Sequence, residues 1–331
     1  IRTRRFLQKQ RNRMSVKNII ESSKKPIFSF EILPPLKGNG IEAVYDTIDQ
    51  LLEFDPKYID ITTHRSELVY KTLDNGLYQC ERIRQRPGTV AIAAAIKNKY
   101  SIDVVPHILC SGFSKEETEY VLIDLDFLGI HDLLLLRGDK AKHDSTFVPD
   151  QNGHAHATEL QEQINLFNEG FFVDGSPKKN PSTTKFSYGV AGYPEKHDEA
   201  PNFRSDIYWL KKKIENGADY IVTQMFFDNK KYFDFVGRCR NEGITVPIIP
   251  GLKPITTIKQ RTVLPKTFHL DLPDELESAL RKCKTNEDAF NLGVEWTIAQ
   301  SKELIANGVP GLHFYSMTNP RSVKAIAKQV F

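Results

Sequence analysis

Eight short runs of apolar and β-branched residues recur along the chain, at 27–32, 58–62, 103–109, 131–136, 187–192, 219–225, 246–251 and 311–316. Longer, charge-rich amphipathic stretches alternate with them; helical periodicity is clear at 40–54, 116–128, 157–168, 205–216 and 230–242, with glycine closing several. Runs such as Leu133-Leu134-Leu135-Leu136 are apolar on both faces, as parallel strands buried on both sides are. Eight β-α units in 331 residues predict an α/β fold, a single-domain (β/α)8 TIM barrel. A doubly wound open sheet is the alternative.

The composition, 40% hydrophobic and 26% charged, is that of a soluble globular protein. No segment approaches the ~18 continuous apolar residues of a membrane span, and no apolar signal segment opens the chain. A cytoplasmic protein with no membrane partner is therefore expected. Cys80, Cys110, Cys239 and Cys283 are scattered, with no Cys-x-x-Cys pair, and are expected to be reduced and structural. Residues 1–13 carry six positive charges and no acid, ahead of Met14-Ser15. Without them the formal net charge changes from +3 to −3, so the body gives nucleic-acid binding no support. The leader is expected to be a disordered basic appendage to a body spanning 14–331. A basic targeting or RNA-binding arm is the rival reading.

The first run, Phe28-Ser29-Phe30-Glu31-Ile32-Leu33-Pro34-Pro35, places a carboxylate inside an apolar strand and ends at two prolines. Alternation puts Ser29 and Glu31 on one face and Phe28, Phe30 and Ile32 on the other. A carboxylate at the end of a buried strand resists ionisation, and its pKa rises toward the range of a general acid. On this segment alone two readings stay open: an edge strand with Glu31 in water, or a functional acid in a cavity.

A barrel presents the C-terminal ends of all its strands to one cavity. The polar residues closing the runs therefore form a set: Glu31, Thr62, His107, Arg137-Gly138-Asp139, Tyr193-Pro194-Glu195, Thr223-Gln224 and Tyr315. Each alone is compatible with a satisfied core polar group; their shared position marks them. The polar loop 140–156 follows a strand and belongs to this end, whereas 170–185 precedes a strand and falls on the opposite face. No Gly-x-Gly-x-x-Gly follows a strand and no P-loop occurs, so a Rossmann or Walker nucleotide site is unsupported. His154-x-His156 lacks a neighbouring carboxylate or third ligand, and no metal is expected. Lys211-Lys212-Lys213 reads as a solvated helix face.

Taken together, Phe30-Glu31-Ile32-Leu33-Pro34-Pro35, Leu136-Arg137-Gly138-Asp139, Ala191-Gly192-Tyr193-Pro194-Glu195, Thr223-Gln224-Met225-Phe226-Phe227-Asp228, Ile249-Pro250-Gly251 and Gly311-Leu312-His313-Phe314-Tyr315 resemble the methylenetetrahydrofolate reductases, in order, from about residue 26 to the C-terminus. The resemblance implies a barrel that binds FAD without a Rossmann motif. It further implies hydride transfer from NADH or NADPH to 5,10-methylenetetrahydrofolate, giving 5-methyltetrahydrofolate for methionine synthesis. A homo-oligomer is expected, in a short form without the C-terminal regulatory domain of eukaryotic members.

By the same resemblance Glu31 matches the general acid that helps open the folate ring to its reactive iminium, and Asp139 the carboxylate that stabilises the iminium and tunes the flavin. The matching FAD positions are Thr62, His107, Arg137, Gly138, Asp139, His156, Ala157, Tyr193, His197, Asp206 and Lys213, so one lysine of the run acquires a role. Gln224, Gln260, Tyr315 and Asn319 match the folate side. The chain departs from the family pattern at Thr63-His64-Arg65-Ser66-Glu67, at His156 and Leu264, and in Ser316-Met317-Thr318-Asn319-Pro320-Arg321. Rival functions are a non-redox pterin- or folate-binding barrel transferase, an aldolase-type lyase, for which no strand end offers a convincing Schiff-base lysine, and a catalytically silent folate- or flavin-binding protein.

Overall fold

The computed structural model describes residues 14–140 and 144–331. The basic leader 1–13 and part of the 140–156 loop lie outside the described residues. The chain opens with α1 (Val16–Ser22) and β1 (Ile27–Ile32), followed by α2 (Glu42–Asp49) and β2 (Tyr58–Ile61). A hairpin, β3 (Glu67–Thr72) and β4 (Tyr78–Ile83), precedes α3 (Thr89–Tyr100), β5 (Asp103–Leu109), α4 (Lys115–Phe127) and β6 (Asp132–Leu136). Then come α5 (Ala157–Asn168), β7 (Ser187–Gly192), α6 (Phe203–Glu215), β8 (Tyr220–Thr223) and α7 (Asn229–Asn241). The last part holds β9 (Ile248–Ile249), β10 (Gly251–Leu252), α8 (Gln260–Phe268), α9 (Asp274–Lys282), α10 (Asn286–Ala306), β11 (Gly311–Met317) and α11 (Arg321–Val330).

Apart from the hairpin, the strands form one parallel sheet in the order β10-β11-β1-β2-β5-β6-β7-β8-β9. Its two outer members are successive dipeptides separated only by Pro250. Proline has no N–H for the ladder and interrupts the seventh strand, yet its carbonyl accepts from the His313 N–H at 3.0 Å. One half of that strand thus pairs with β8 and the other with β11, and the sheet closes as a (β/α)8 TIM barrel.

Period-2 alternation sorts the core into two layers. Phe28, Phe30, Ile32, Ile59, Ile61, Leu133, Leu135, Leu312 and Phe314 pack outward against the helices. Ile27, Tyr58, Val105, Leu134, Tyr220, Val222 and Ile249 fill the interior, joined by Val16 and Ile20 of α1. That helix closes the N-terminal end, its Val16 N–H donating to Asp132 at 3.0 Å. A Cβ on Gly189 would lie 2.4 Å from the Tyr220 ring, so glycine there makes room for an aromatic plug. Helix starts follow local chemistry: Ser114 with Glu117, and Thr285 with Asp288, form capping boxes.

The hairpin is an addition to the expected set of strands. Its turn, Leu73-Asp74-Asn75-Gly76-Leu77, is closed by the Leu73 N–H on the Leu77 carbonyl at 2.7 Å. Arg82 ties it to the loop after β6 by an ion pair to Asp150 at 3.0 Å.

Candidate active site

The inner face of the barrel changes character along its axis. Above the apolar layer of Ile27, Val105, Leu134 and Tyr220 come Ser29, Glu31, Asp60, His107 and His313, all buried. Glu31 is only 7% exposed, which excludes the reading of an edge strand in water. Burial raises its pKa to about 7, with Asp60 adding to the rise and His107 and Lys253 opposing it. The Ser316 hydroxyl donates to the Glu31 carbonyl at 2.7 Å and fixes the strand beneath it. His107 Nε2 stands 3.6 Å from Glu31 Oε2, and the His107 carbonyl accepts from Thr63 Oγ1 at 2.6 Å. Thr62 follows β2 with its backbone N–H on the Ile32 carbonyl at 3.1 Å, while its buried hydroxyl makes no hydrogen bond. Across the mouth the Tyr315 hydroxyl donates to the Thr223 carbonyl at 2.6 Å, and Lys253 Nζ reaches the Tyr315 carbonyl at 3.3 Å.

A second group lies on the β6–β7–α6 side. Arg137 leaves β6 to form a two-pronged ion pair with Glu199, one arm at 2.9 Å, and its guanidinium stacks 4.8 Å from the Phe147 ring. Gly138 has φ +82°, and a Cβ would fall 2.2 Å from Ser111 Oγ, so this turn requires glycine. The turn delivers Asp139 to the exposed rim. Tyr193 meets His197 edge to face at 4.7 Å, and the His197 N–H donates to Asp206 Oδ2 at 3.2 Å. Asp206 starts α6 and Lys213 lies two turns along it. Burial pushes the Asp206 carboxyl up and the Lys213 ammonium down, each partly countered by the other. His156 is the exposed N-cap residue of α5, with buried Ala157 beginning that helix.

The folate-side candidates divide. Gln224 follows β8 with its N–H on the Gly192 carbonyl at 2.8 Å, at the same barrel end as Glu31. Gln260 uses its side-chain oxygen to hold the loop before α8, accepting from Thr256 N–H at 2.7 Å and Thr257 N–H at 3.2 Å. Asn319 lies in the exposed turn before α11 and accepts from the Arg321 N–H at 3.0 Å. In both, the side-chain oxygen is engaged by backbone amides of its own loop.

Three groups beside Glu31 were not singled out from the sequence: Asp60, His313 and Lys253. Asp60 in Tyr58-Ile59-Asp60-Ile61 and His313 in Leu312-His313-Phe314 repeat the signal that marked Glu31, a titratable residue inside an apolar run. Among the described residues, no three His, Cys, Asp or Glu side chains converge as a metal-ligand set.

The family model of methylenetetrahydrofolate reductase matches residues 15–330. The chain belongs to the methylenetetrahydrofolate reductase family. It is 29% identical over 321 residues to methylenetetrahydrofolate reductase (NADH) 1 of Arabidopsis thaliana, an alignment covering 94% of this chain and 49% of that protein. To 5,10-methylenetetrahydrofolate reductase of Salmonella typhimurium it is 27% identical over 301 residues, 90% of this chain and 88% of the relative. The chain thus spans about half the length of the plant relative. Among solved structures it resembles an uncharacterised protein from Clostridium thermocellum that binds two copies of 5-methyl-5,6,7,8-tetrahydrofolic acid. There the TM-score is 0.57 at 17% identity, covering 95% of this chain and 98% of that one, a likeness of fold.

Proposed function

We propose that this chain is a flavoprotein reductase that passes hydride from NADH or NADPH, through bound FAD, to 5,10-methylenetetrahydrofolate and releases 5-methyltetrahydrofolate. The observation that carries the reading is Glu31: a buried carboxylic acid, with a pKa raised to about 7, at the cavity end of the first strand. A hydride acceptor of this kind must be a cation. Forming the cation requires a proton on the departing folate nitrogen, the task of an acid whose pKa lies near the working pH. Glu31 supplies that proton, Asp139 sets a carboxylate at the rim to face the resulting positive charge, and Gln224 orients the folate from β8.

FAD, when bound, supplies the two-electron relay between the nicotinamide and the folate. The residues on the β6–β7–α6 side suit such a long, anionic group. Lys213 is a half-buried cation with no carboxylate at ion-pair distance among the described residues, and Arg137 adds a second positive charge whose pairing with Glu199 leaves it only half-buried. The unpartnered Thr62 hydroxyl offers a donor at the barrel mouth. Relatives carry both NADH and NADPH in their names, as in the plant protein and in that of Caenorhabditis elegans, so either reductant is consistent with the family.

The visible spectrum of the purified protein under anaerobic conditions tests the proposal. Bleaching of a flavin on adding NADH or NADPH, and recovery of the colour on adding methylenetetrahydrofolate, is the expected result. A colourless protein that cannot be reconstituted with FAD would overturn it.

A further inference from the structure

Four strands each send a titratable side chain into the same polar layer: Glu31 from β1, Asp60 from β2, His107 from β5 and His313 from β11. The proposed reaction uses only the first. Glu31 and Asp60 are register partners across the parallel β1–β2 pair, so alternation turns both inward at one level. The His107 imidazole stands between them, its Nε2 being 3.6 Å from Glu31 Oε2 and 3.5 Å from Asp60 Oδ2. On the far side of Asp60, His313 Nε2 lies 3.8 Å from the same oxygen, and its Nδ1 is 3.0 Å from Ser29 Oγ. Asp60 is 0% exposed, and neither of its oxygens has a hydrogen-bond partner; His107 Nε2 and His313 Nε2 are likewise buried and unpartnered.

A buried carboxylate without a donor is costly to ionise, and neighbouring carboxylates cannot both ionise without further penalty. The surrounding groups give little compensation. Burial holds both imidazoles and the Lys253 ammonium below their ordinary ranges. The phenols of Tyr58, Tyr220 and Tyr315 are pushed up and stay neutral. Ionisation of Asp60 therefore raises the cost of ionising Glu31.

We propose that Asp60 is a positioning residue for the general acid: level with Glu31 across the β1–β2 pair, with the His107 imidazole beside both, its charge opposes loss of the Glu31 proton and so keeps Glu31 in its acid form until substrate arrives. The inference rests on the reading of Glu31 as the proton donor and adds the residue that sets when it donates. Both carboxyls are raised to about 7, chiefly by burial, and Asp60 contributes to the rise at Glu31.

The test is infrared difference spectroscopy of the protein titrated with pH, following the protonated-carboxyl band that Glu31→Gln removes. In Asp60→Asn, which keeps the shape and deletes the charge, the midpoint of that band is expected to fall by about one pH unit. The pH midpoint of folate-driven flavin reoxidation should fall with it. An unmoved infrared midpoint in folded Asp60→Asn would overturn the coupling. Where that variant does not fold, His313→Gln carries the same test: without the imidazole, Asp60 is more often protonated and the Glu31 midpoint again falls, whereas no change refutes the proposal. The control separates the two claims. If Glu31→Gln retains folate reduction, the general-acid reading fails whatever Asp60 does; if it abolishes folate reduction while Asp60→Asn leaves the midpoint in place, the coupling alone fails.

Discussion

On the β1–β2–β5–β11 side of the barrel, Glu31 and Asp60 lie in the interior with imidazoles near them but no hydrogen bond to satisfy Asp60. On the β6–β7–α6 side, Arg137 grips Glu199 at 2.9 Å and Asp206 accepts a backbone N–H at 3.2 Å, in half-exposed loops and a helix start. The first arrangement holds protons, because low polarity penalises charge. The second holds charge, because paired and partly solvated ions persist. One barrel end thereby sets a buried, protonated carboxyl layer beside a wall of paired and partly solvated charges, the contrast on which the proposed division of proton donor and cofactor contacts rests.

The sharpest break between the sides is expected from Glu31→Gln. It should lower folate-driven reoxidation by about 10²–10⁴-fold, the usual contribution of a general acid, while leaving bleaching by NADH or NADPH intact. Stopped-flow measurement of the two half-reactions would show it; an equal loss in both would remove the acid from the account.

A stability effect comes next. The carboxyls of Glu31 and Asp60 have folded-state pKa values of about 7, above their ordinary range. The folded protein therefore binds these protons more tightly than the unfolded chain. Their stabilisation is complete below about pH 4 and is lost as pH rises through about 7. Between pH 5 and pH 8 the wild type should lose on the order of 2–3 kcal/mol of stability in urea for each of the two carboxyls, about 5 kcal/mol in all, relative to the double variant Glu31→Gln, Asp60→Asn. Parallel stability curves for the two would contradict the burial argument.

Smaller effects should follow from the charged side. Lys213→Met is expected to weaken FAD retention about tenfold, the worth of one charge-assisted contact, without changing the pH midpoint of the folate half-reaction. Fluorescence of released flavin measures the first; a shifted midpoint would mean that the two sides are not separate. Glu199→Gln frees Arg137 and should tighten FAD by no more than about fivefold, since the ion pair that it removes is partly exposed.

Much of this was legible in the sequence, for identifiable reasons. Strands such as Leu133-Leu134-Leu135-Leu136 betray parallel burial, and each expected run holds a strand of the barrel within a few residues. The seventh differs because Pro250 splits it, a break that a proline inside a run announces. The β3–β4 hairpin lies outside the eight expected runs although Asp74-Asn75-Gly76 carries the turn chemistry, because β4, Tyr78-Gln79-Cys80-Glu81-Arg82-Ile83, is mostly exposed and holds no apolar run. Glu31 stood out as a charge in an apolar strand. Asp60 carries the same signal, but Thr62 closes that run and is the residue that the strand-end rule selects. That His107 lies between two carboxyls is a consequence of barrel closure, which brings β1, β2 and β5 side by side and which no local pattern encodes. The local bonds of Gln260 and Asn319, whose side-chain oxygens accept from backbone amides of their own loops, are likewise set by loop conformation that no residue pattern announces.

If one side of the cavity stores a proton for the folate, the two half-reactions of the wild-type protein, measured separately, differ in their pH dependence. Folate-driven reoxidation of the flavin is expected to fall as pH rises through about 7, the range of the Glu31 carboxyl, while reduction by the nicotinamide shows no such step there. A folate half-reaction that stays level through that range, or a single profile shared by both halves, would contradict it.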